Sequence, residues 1–297
     1  MGADAYPVGV NPTARLSTGI VRRRAAQAWR VAWTVASLLV VEGIVFGLAV
    51  SAGVLVMDWS SSWVLGPAWL RLMLRAMTVA PAYVAFALTL MVLSATATGA
   101  LGWRTPADAE MKIADLDWPL LRWVRYLAST HVVRVCAGAL FRATPVWTAF
   151  HRLNGAHMGR GVYVNSLAVV DDNLLEFGDN VVIGHAVHLS GHTVEHGVVK
   201  TGAVRLGRDV TIGVGSVIGI GVEIGAGTQV GALSVVPKHW RLEGGARFAG
   251  APVRRLDPPD VNERSTAPGT SPRPVPGAQG PPRGGTPPTP TRAQGRV

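Results

Sequence analysis

Hydrophobic residues recur at every sixth position in the second half of the chain, and a glycine usually follows each. The series begins with Phe177, Ile183 and Leu189, breaks, and resumes at Leu206, Ile212, Ile218, Ile224, Val230 and Val236. An α-helix repeats at 3.6 residues and a strand at 2, so a period of six fits neither element alone. A short fixed period is typical of a β-helix, in which each repeat is one strand plus a turn and stacking buries the aliphatic column. The glycines fit positions with a positive φ or with no room for a side chain.

The break in this period predicts a loop that leaves the coil. The spacing from Leu189 to Leu206 falls one position short of three repeats. Coiled repeats accept insertions as loops, and such loops often hold the working residues. Four of the eight histidines fall within residues 185–196, as His185, His188, His192 and His196, and Glu195 lies among them. Histidine is suited to accept a proton near neutral pH, and a nearby carboxylate fixes its tautomer.

Two long apolar runs precede the repeats. Residues 31–57 contain one charge, Glu42, and residues 76–102 contain none. Each run exceeds the roughly 20 residues that cross a bilayer, so we expect two transmembrane helices. Glu42 inside a span is costly, and a helix–helix hydrogen bond is its expected use. Residues 1–30 form a basic N-terminal segment with Arg22, Arg23 and Arg24.

Composition divides the rest of the chain. Residues 103–158 mix tryptophans and aliphatic residues with arginines, which predicts amphipathic helices at the membrane interface. Residues 159–256 form the repeat domain. Residues 257–297 contain eleven of the twenty prolines, so we expect a disordered tail.

The net charge of +10 belongs to the membrane half of the chain. Residues 15–160 hold 15 basic and 6 acidic residues, whereas residues 161–256 hold 8 of each. A basic stripe on a folded nucleic-acid domain is missing, so the charge does not indicate a nucleic-acid partner. Cys136 is the only cysteine, which excludes an internal disulfide and a cysteine-based metal site.

The end of the repeat region resembles the hexapeptide acyltransferases. Residues 231–238, Gly-Ala-Leu-Ser-Val-Val-Pro-Lys, followed by Gly250-Ala251-Pro252, look like the last coil and exit turn of that family. The resemblance implies a mainly β fold, a left-handed parallel β-helix, preceded here by the two transmembrane helices and the interfacial helices.

A narrower resemblance is to the membrane-linked C-terminal region of poly-amino-acid synthetases of the ε-poly-lysine synthetase type. Residues 192–200 look like its H-x-x-E-x-x-V-x-K segment, and residues 152–162 look like the entrance to its β-helix. Residues 173–179 resemble its D-L-V-x-I-G-D step, with Asn173 in place of the first aspartate.

The resemblance also implies roles for residues and partners. It implies an acyl-CoA co-substrate, a homotrimer with the CoA between adjacent β-helices, and a loop histidine as general base. By position His192 is the first choice, with Glu195 and His196 beside it. The candidate CoA contacts are the small residues Gly213, Ser216 and Ala232 and the basic residues Lys238, Arg254 and Arg255.

The predicted function is transfer of an acyl group, in particular acetyl, from CoA or a carrier thioester to a hydroxyl or amine. One alternative is amide formation between amino acids with a carrier protein in trans. Another is a zinc protein like the γ-class carbonic anhydrases, with His188, His192 and His196 as ligands. That family pattern needs a histidine at Ser190, so no metal is expected. The last alternative is a trimeric membrane scaffold without catalysis.

The basic flanks predict the topology. Arginines precede the first apolar run and basic residues follow the second, so both flanks are expected in the cytoplasm, with the repeat domain on the cytoplasmic side of the inner membrane. Reporter fusions at Ser62 and Leu256 should therefore report opposite sides of the membrane. The same side for both would exclude the two-span hairpin.

Overall fold

The computed structural model describes residues 12–62 and 66–256, and side chains from residue 21 to 59 and from 66 to 256. The predicted tail, 257–297, and the first eleven residues of the basic segment lie outside this description. The helices are, in chain order, α1 (Pro12–Ser62), α2 (Ala68–Met77), α3 (Val79–Ala100), α4 (Trp118–Val133), α5 (Ala139–Phe141) and α6 (Pro145–Leu153), with a π-helical segment at Arg134–Gly138.

Helices α1 and α3 pack against each other through small and aliphatic side chains. A Cβ on Gly53 of α1 would lie 3.0 Å from the carbonyl oxygen of Ala82, and Phe46 meets Phe86 edge-on at 5.3 Å. Leu90 of α3 is completely buried. Most other large side chains of α1 are exposed, including Leu39 at 67%.

Two helical segments are long and apolar enough to cross a membrane, Val21–Trp59 and Ala68–Ala100. Only 17% and 22% of their most apolar windows are buried, whereas the core helix of a soluble protein is mostly buried. Length and composition therefore agree with two spans, and the crossing itself stays a prediction. Ser129 of α4 donates to Glu42 of α1, which confirms the expected helix–helix hydrogen bond.

Helices α4 and α6 turn their largest apolar side chains toward the protein. Trp123, Tyr126, Trp147 and Phe150 are between 0% and 8% exposed. Trp147 and Phe150 join the hydrophobic core of the strands, and α4 packs against α1 and α3. The position at the membrane interface expected for residues 103–158 stays a prediction.

Short strands dominate the second half of the described chain. They are β1 (Glu110–Lys112), β2 (His157–Met158), β3 (Tyr163–Val164), β4 (Val169–Val170), β5 (Leu175–Phe177), β6 (Val182–Ile183), β7 (His188–Ser190), β8 (His192–Glu195), β9 (Val198–Thr201), β10 (Val204–Leu206), β11 (Thr211–Ile212), β12 (Val217–Ile218), β13 (Glu223–Ile224), β14 (Gln229–Val230), β15 (Val235–Val236), β16 (Arg241–Leu242), β17 (Arg247–Ala249) and β18 (Arg254–Leu256).

Successive strands enter three parallel sheets in rotation. Sheet I has the order β16-β13-β10-β5-β2, sheet II the order β18-β17-β14-β11-β6-β3, and sheet III the order β15-β12-β7-β4. Of the described strands in these sheets, β18 alone runs antiparallel, against β17. Arg205 pairs with Glu223 and Glu223 with Arg241, so one rotation takes three periods of six. The predicted sheet-rich, parallel architecture is confirmed for this three-sheet domain, residues 157–256; the left-handed β-helix stays a prediction.

The sixfold column forms the core of the three-sheet domain. Its members are no more than 4% exposed, namely Phe177, Ile183, Leu189, Leu206, Ile212, Ile218, Ile224, Val230 and Val236. The glycine that follows most of them serves close approach rather than a positive φ. A Cβ on Gly213 would lie 2.4 Å from the backbone nitrogen of Ala232, in the next rotation. Any side chain there would push the two backbones apart.

The interruption is a β-hairpin that leaves the coil. Glu176 of β5 pairs with Arg205 of β10, although a single rotation after Glu176 would end well before Arg205, inside the hairpin. The extra positions form β8 and β9, which pair antiparallel, and β1, from the connection between α3 and α4, adds a third strand along β9. The predicted departure from the coil is thus a three-stranded sheet tied to the helical part.

Core burial predicts unequal effects at neighbouring positions of β11. Replacing Ile212, which is 1% exposed, by alanine removes buried methylenes and leaves a cavity, which costs about 2–5 kcal/mol. Thr211→Ala, on the exposed side of the same strand, is the matched control. We expect a lower Tm for Ile212→Ala in detergent and a Tm near that of the parent for Thr211→Ala. Equal Tm values for the two variants would contradict this assignment of the column.

Candidate active site

The hairpin places His192 at its base, beside the coil. Gly191 permits this approach, since a Cβ there would lie 2.8 Å from Leu174 and 2.9 Å from Asp171. At the far end, His196 and Gly197 form the two-residue turn with φ values of 49° and 76°. Paired positive φ values match the twist of a tight hairpin.

His192 contacts a buried carboxylate. Its Nδ1 lies 2.5 Å from Oδ2 of Asp171, which is completely buried, while the His192 side chain keeps 22% of its surface exposed. The indole of Trp123 packs edge-on against the imidazole, with ring centroids 4.9 Å apart. The pair therefore sits at the boundary between the protein interior and the surface.

Three further donors from separate segments hold Asp171. The Oγ1 of Thr105, after α3, donates to Oδ1 at 2.8 Å, and Nε1 of Trp123 on α4 donates to the same oxygen at 3.3 Å. The Oγ of Ser190 donates to Oδ2 at 3.1 Å. Burial works to raise the pKa of Asp171, but the hydrogen bond and charge of His192 and the bonds from Thr105 and Ser190 hold this pKa below its usual range.

This arrangement determines the tautomer of His192. An ionised carboxylate only accepts hydrogen bonds, so the proton of a neutral imidazole resides on Nδ1 and Nε2 keeps its lone pair. Within the described part of the chain, the recorded hydrogen bonds of the ring all involve Nδ1. Nε2 can take a proton from an approaching hydroxyl or amine, and Asp171 then stabilises the imidazolium.

The carboxylate that His192 contacts is not the one expected from sequence. Glu195 forms an ion pair with Lys238, and its other oxygen lies 3.9 Å from Nζ of Lys200. His196 is exposed in the hairpin turn. Proximity in sequence indicated Glu195, but three residues along a strand lead away from His192, toward the tip of the hairpin.

Asp171 was missed as a site residue, although the repeat contains a signal for it. Val170 of β4 pairs with Ser190 of β7 in the next rotation, so the residue after Val170 stacks against the start of the hairpin. Extending the repeat from the strands to the turns would thus have led from Asp171 to the neighbourhood of His192. The sixfold period predicted the core residues, but it was not extended to the turns.

The residues proposed for CoA differ in accessibility. Ser216 is completely buried, and its Oγ donates to the carbonyl of Gly231 and accepts from the N–H of Ser234, which joins two rotations. Gly213 lies directly against the backbone of Ala232, which leaves no room for a side chain. Ala232, Lys238 and Arg254 are exposed, so a surface ligand can reach these three.

A groove of about 1120 Å³ runs along sheet I, away from His192. Charges alternate across its strands: Nε of Arg205 lies 3.0 Å from Glu176, and Nε of Arg241 lies 3.1 Å from Glu223. These charges neutralise one another, and none of the candidate catalytic residues lines the groove.

The described residues contain no group of three or more His, Cys, Asp or Glu side chains placed to hold a metal ion. The alternative ligand set of His188, His192 and His196 is therefore not assembled. His188 is exposed on β7, whereas His192 is committed to Asp171 through Nδ1.

No family model matches the chain. The protein YrdA of Escherichia coli K12 is 40% identical over 95 residues, which cover 32% of this chain and 45% of YrdA. The chain thus spans somewhat less than half the length of this curated relative.

Several solved structures are similar to parts of the chain. A hexapeptide-repeat acetyltransferase from Vibrio cholerae is 22% identical with a TM-score of 0.32, over 37% of this chain and 77% of that one. A galactoside acetyltransferase in complex with coenzyme A is 22% identical with a TM-score of 0.31, over 40% and 72% of the two chains. A maltose O-acetyltransferase from Clostridium difficile 630 is 25% identical with a TM-score of 0.30, over 35% and 59%.

The lowered pKa of Asp171 predicts a pH effect on stability. A carboxyl whose folded pKa is depressed adds stability above its unfolded pKa, about 3.9, and loses it as the pH falls through the lower folded value. The Tm difference between the parent and Asp171→Asn should therefore narrow between pH 5 and pH 2.5. Asp209→Asn, with a side chain 54% exposed, is the control and should show little change. A parent-to-Asp171→Asn difference that stays constant over this range would contradict the assignment.

Proposed function

We propose that this protein is a membrane-anchored acyltransferase whose three-sheet domain winds as a left-handed parallel β-helix. It moves an acyl group, in particular acetyl, from CoA or a carrier thioester to a hydroxyl or amine. The observation that supports this proposal most is the 2.5 Å contact between Nδ1 of His192 and the buried carboxylate of Asp171. A histidine held in this way through Nδ1, on a side chain that is 22% exposed, is the base that such a transfer needs.

The proposed reaction needs one proton acceptor that later acts as a donor. Nε2 of His192 removes the proton of the acceptor hydroxyl or amine, whose lone pair then attacks the thioester carbonyl. The tetrahedral intermediate collapses, the C–S bond breaks, and the thiolate receives the proton from the imidazolium. Asp171 remains ionised throughout and stabilises the positive charge that His192 holds between the two transfers.

The acyl donor is expected to bind on the outer face of the last rotations. Arg254 and Lys238 are exposed and basic, and Ala232 presents a small side chain nearby in sequence. Lys238 is paired with Glu195 of the hairpin, so a phosphate that binds Lys238 would compete with this pair. We propose a homotrimer with the thioester between adjacent copies, on the basis of the family resemblance described above.

The membrane anchor is proposed from α1, α2 and α3. Their exposed apolar surface and length fit a bilayer, and the basic flanks favour a cytoplasmic position for the three-sheet domain. The site is linked to this anchor, because Thr105 follows α3 closely and Trp123 belongs to α4, which packs on α1. The narrower resemblance to poly-amino-acid synthetases, with a carrier protein in trans, stays a prediction.

Substitution of His192 tests this function. The full chain in nanodiscs receives labelled acetyl-CoA and an extract of small molecules and lipids from the source cells, and labelled products are counted. Loss of a general base costs about 10²–10⁴-fold in rate, so His192→Ala should reduce transfer by this factor. His196→Ala, on the exposed turn of the same hairpin, should stay within a factor of three of the parent.

Three results would contradict the proposal. A transfer rate for His192→Ala within a factor of three of the parent's rate would mean that another residue is the base. Loss of acyl transfer after treatment with a chelator, together with stoichiometric zinc by elemental analysis, would favour a metal-dependent reaction instead of the proposed one. A parent with no labelled product and unchanged acetyl-CoA would favour the scaffold.

A further inference from the structure

A second histidine–carboxylate pair lies directly behind the first. Asp172, the neighbour of Asp171, is completely buried, and its Oδ1 lies 2.6 Å from Nδ1 of His151 on α6. Its Oδ2 accepts a hydrogen bond from the hydroxyl of Tyr126 on α4 at 2.8 Å, and its backbone N–H donates to the same hydroxyl at 3.1 Å. Since none of these three side chains reaches solvent, they cannot touch a substrate.

His151 leaves one ring nitrogen without a hydrogen-bond partner among the described residues. Its Nε2 is buried and has no hydrogen-bond partner in the described part of the chain. A protonated ring would carry an unsatisfied N–H at this atom, which is costly in the interior. The tautomer with the proton on Nδ1 satisfies Asp172 and leaves only a lone pair without a partner.

Tyr126 remains a donor to this carboxylate. Burial raises the pKa of Tyr126 well above its ordinary value, and the charge of Asp172, the hydrogen bond to it and the charge of Asp171 add to the effect. The phenol therefore stays protonated at neutral pH. Asp172 directly follows Asp171, whose carboxylate contacts His192, so its charge acts on the imidazole from behind Asp171.

The backbone connects the two pairs. Asp171 has φ 62° and ψ 51°, in the left-handed region, at the start of the 3₁₀ turn Asp172–Leu174. Such a conformation persists in a residue other than glycine when its neighbours hold it. Asp172 is fixed by α4 and α6 on one side. Asn173 exchanges two hydrogen bonds with the backbone of Thr105, at 2.8 and 3.2 Å, on the other.

We propose that Asp172 is a positioning residue for His192, acting through Asp171. It fixes the backbone that aims the Asp171 carboxylate, and it adds a second negative charge behind the base. The kinetic consequence of this inference rests on the proposed function. The effect of Asp172 on the titration of His192 does not depend on any reaction.

The other groups around the two pairs are mostly uncharged. Trp123 on α4, Thr105 after α3 and Ser190 on β7 face Asp171, and none of them titrates near neutral pH. The flanking segments carry charged groups of both signs, namely Arg104, Arg122, Arg125, Glu110, Glu195, Lys200 and Lys238, the last three of which form ion pairs on the hairpin. All of them are retained in every variant of the experiment.

The experiment compares three variants of the full chain in nanodiscs. Asp172→Asn removes the charge, and Tyr126→Phe removes one hydrogen bond to it. Thr148→Val is the matched control, because Thr148 on α6 is 3% exposed and donates its hydrogen bond to the carbonyl of Val162 rather than to either carboxylate. Histidine-labelled protein gives the titration of His192 by NMR, with its signal assigned from His192→Ala. Acetyl transfer gives kcat and KM against pH.

Removal of a negative charge disfavours the imidazolium, so the midpoint of the His192 titration should fall by about one pH unit in Asp172→Asn. The acid limb of kcat/KM should move in the same direction. In Tyr126→Phe we expect kcat to fall about tenfold with KM unchanged, since the geometry of the base matters in the transition state. Thr148→Val should keep the midpoint and stay within twofold in kcat.

An unchanged His192 midpoint in folded Asp172→Asn would overturn the proposal. If Asp172→Asn does not fold, Tyr126→Phe is the deciding variant. A kcat of Tyr126→Phe equal to that of Thr148→Val would overturn the proposal. If the parent transfers no acetyl group, the proposed function fails while the NMR midpoint still tests the action of Asp172 on His192.

Discussion

Close stacking of successive backbones is the constraint on which the rest of the structure depends. Each rotation lies directly on the one before, and each sheet contributes buried apolar side chains to the core. At the turn after an inward residue the backbones approach so closely that a Cβ on Gly225 would lie 2.4 Å from the nitrogen of Gly244. The spacing of six is thus a packing requirement, and departures from it have to leave the coil.

The one large departure in the described coil shapes the candidate site. The inserted residues leave between β7 and β10 as a hairpin, and its first strand residue, His192, remains against the turn that contains Asp171. Residues 171, 172 and 173 then face three different parts of the protein: the hairpin, the helices α4 and α6, and the segment after α3. The site is therefore assembled where the coil and the helical part meet.

Helices α4 and α6 link these parts. Trp147 and Phe150 are buried at the start of the coil, while Trp123 and Tyr126 reach the two carboxylates. Buried carboxylates are costly unless hydrogen bonds compensate for lost hydration. Asp171 accepts from His192 and three further side chains and Asp172 from two, which explains how two adjacent acidic residues remain in the interior. Removing α4 or α6 would take away some of these hydrogen bonds, and a buried carboxylate would then be less well compensated for its lost hydration.

The sequence by itself determined the period, the buried column, the parallel strands, the break and the hydrogen bond of Glu42, because each follows from spacing and polarity along the chain. It also singled out His192. Only the tertiary structure decided that Asp171 rather than Glu195 accepts from His192, and that Ser216 is enclosed between rotations. Those facts depend on which turns stack and which way α4 and α6 pack. Residues as distant in sequence as Asp171 and His192 become neighbours only once one rotation lies on another, and local spacing does not encode the contacts that helices from another part of the chain make there.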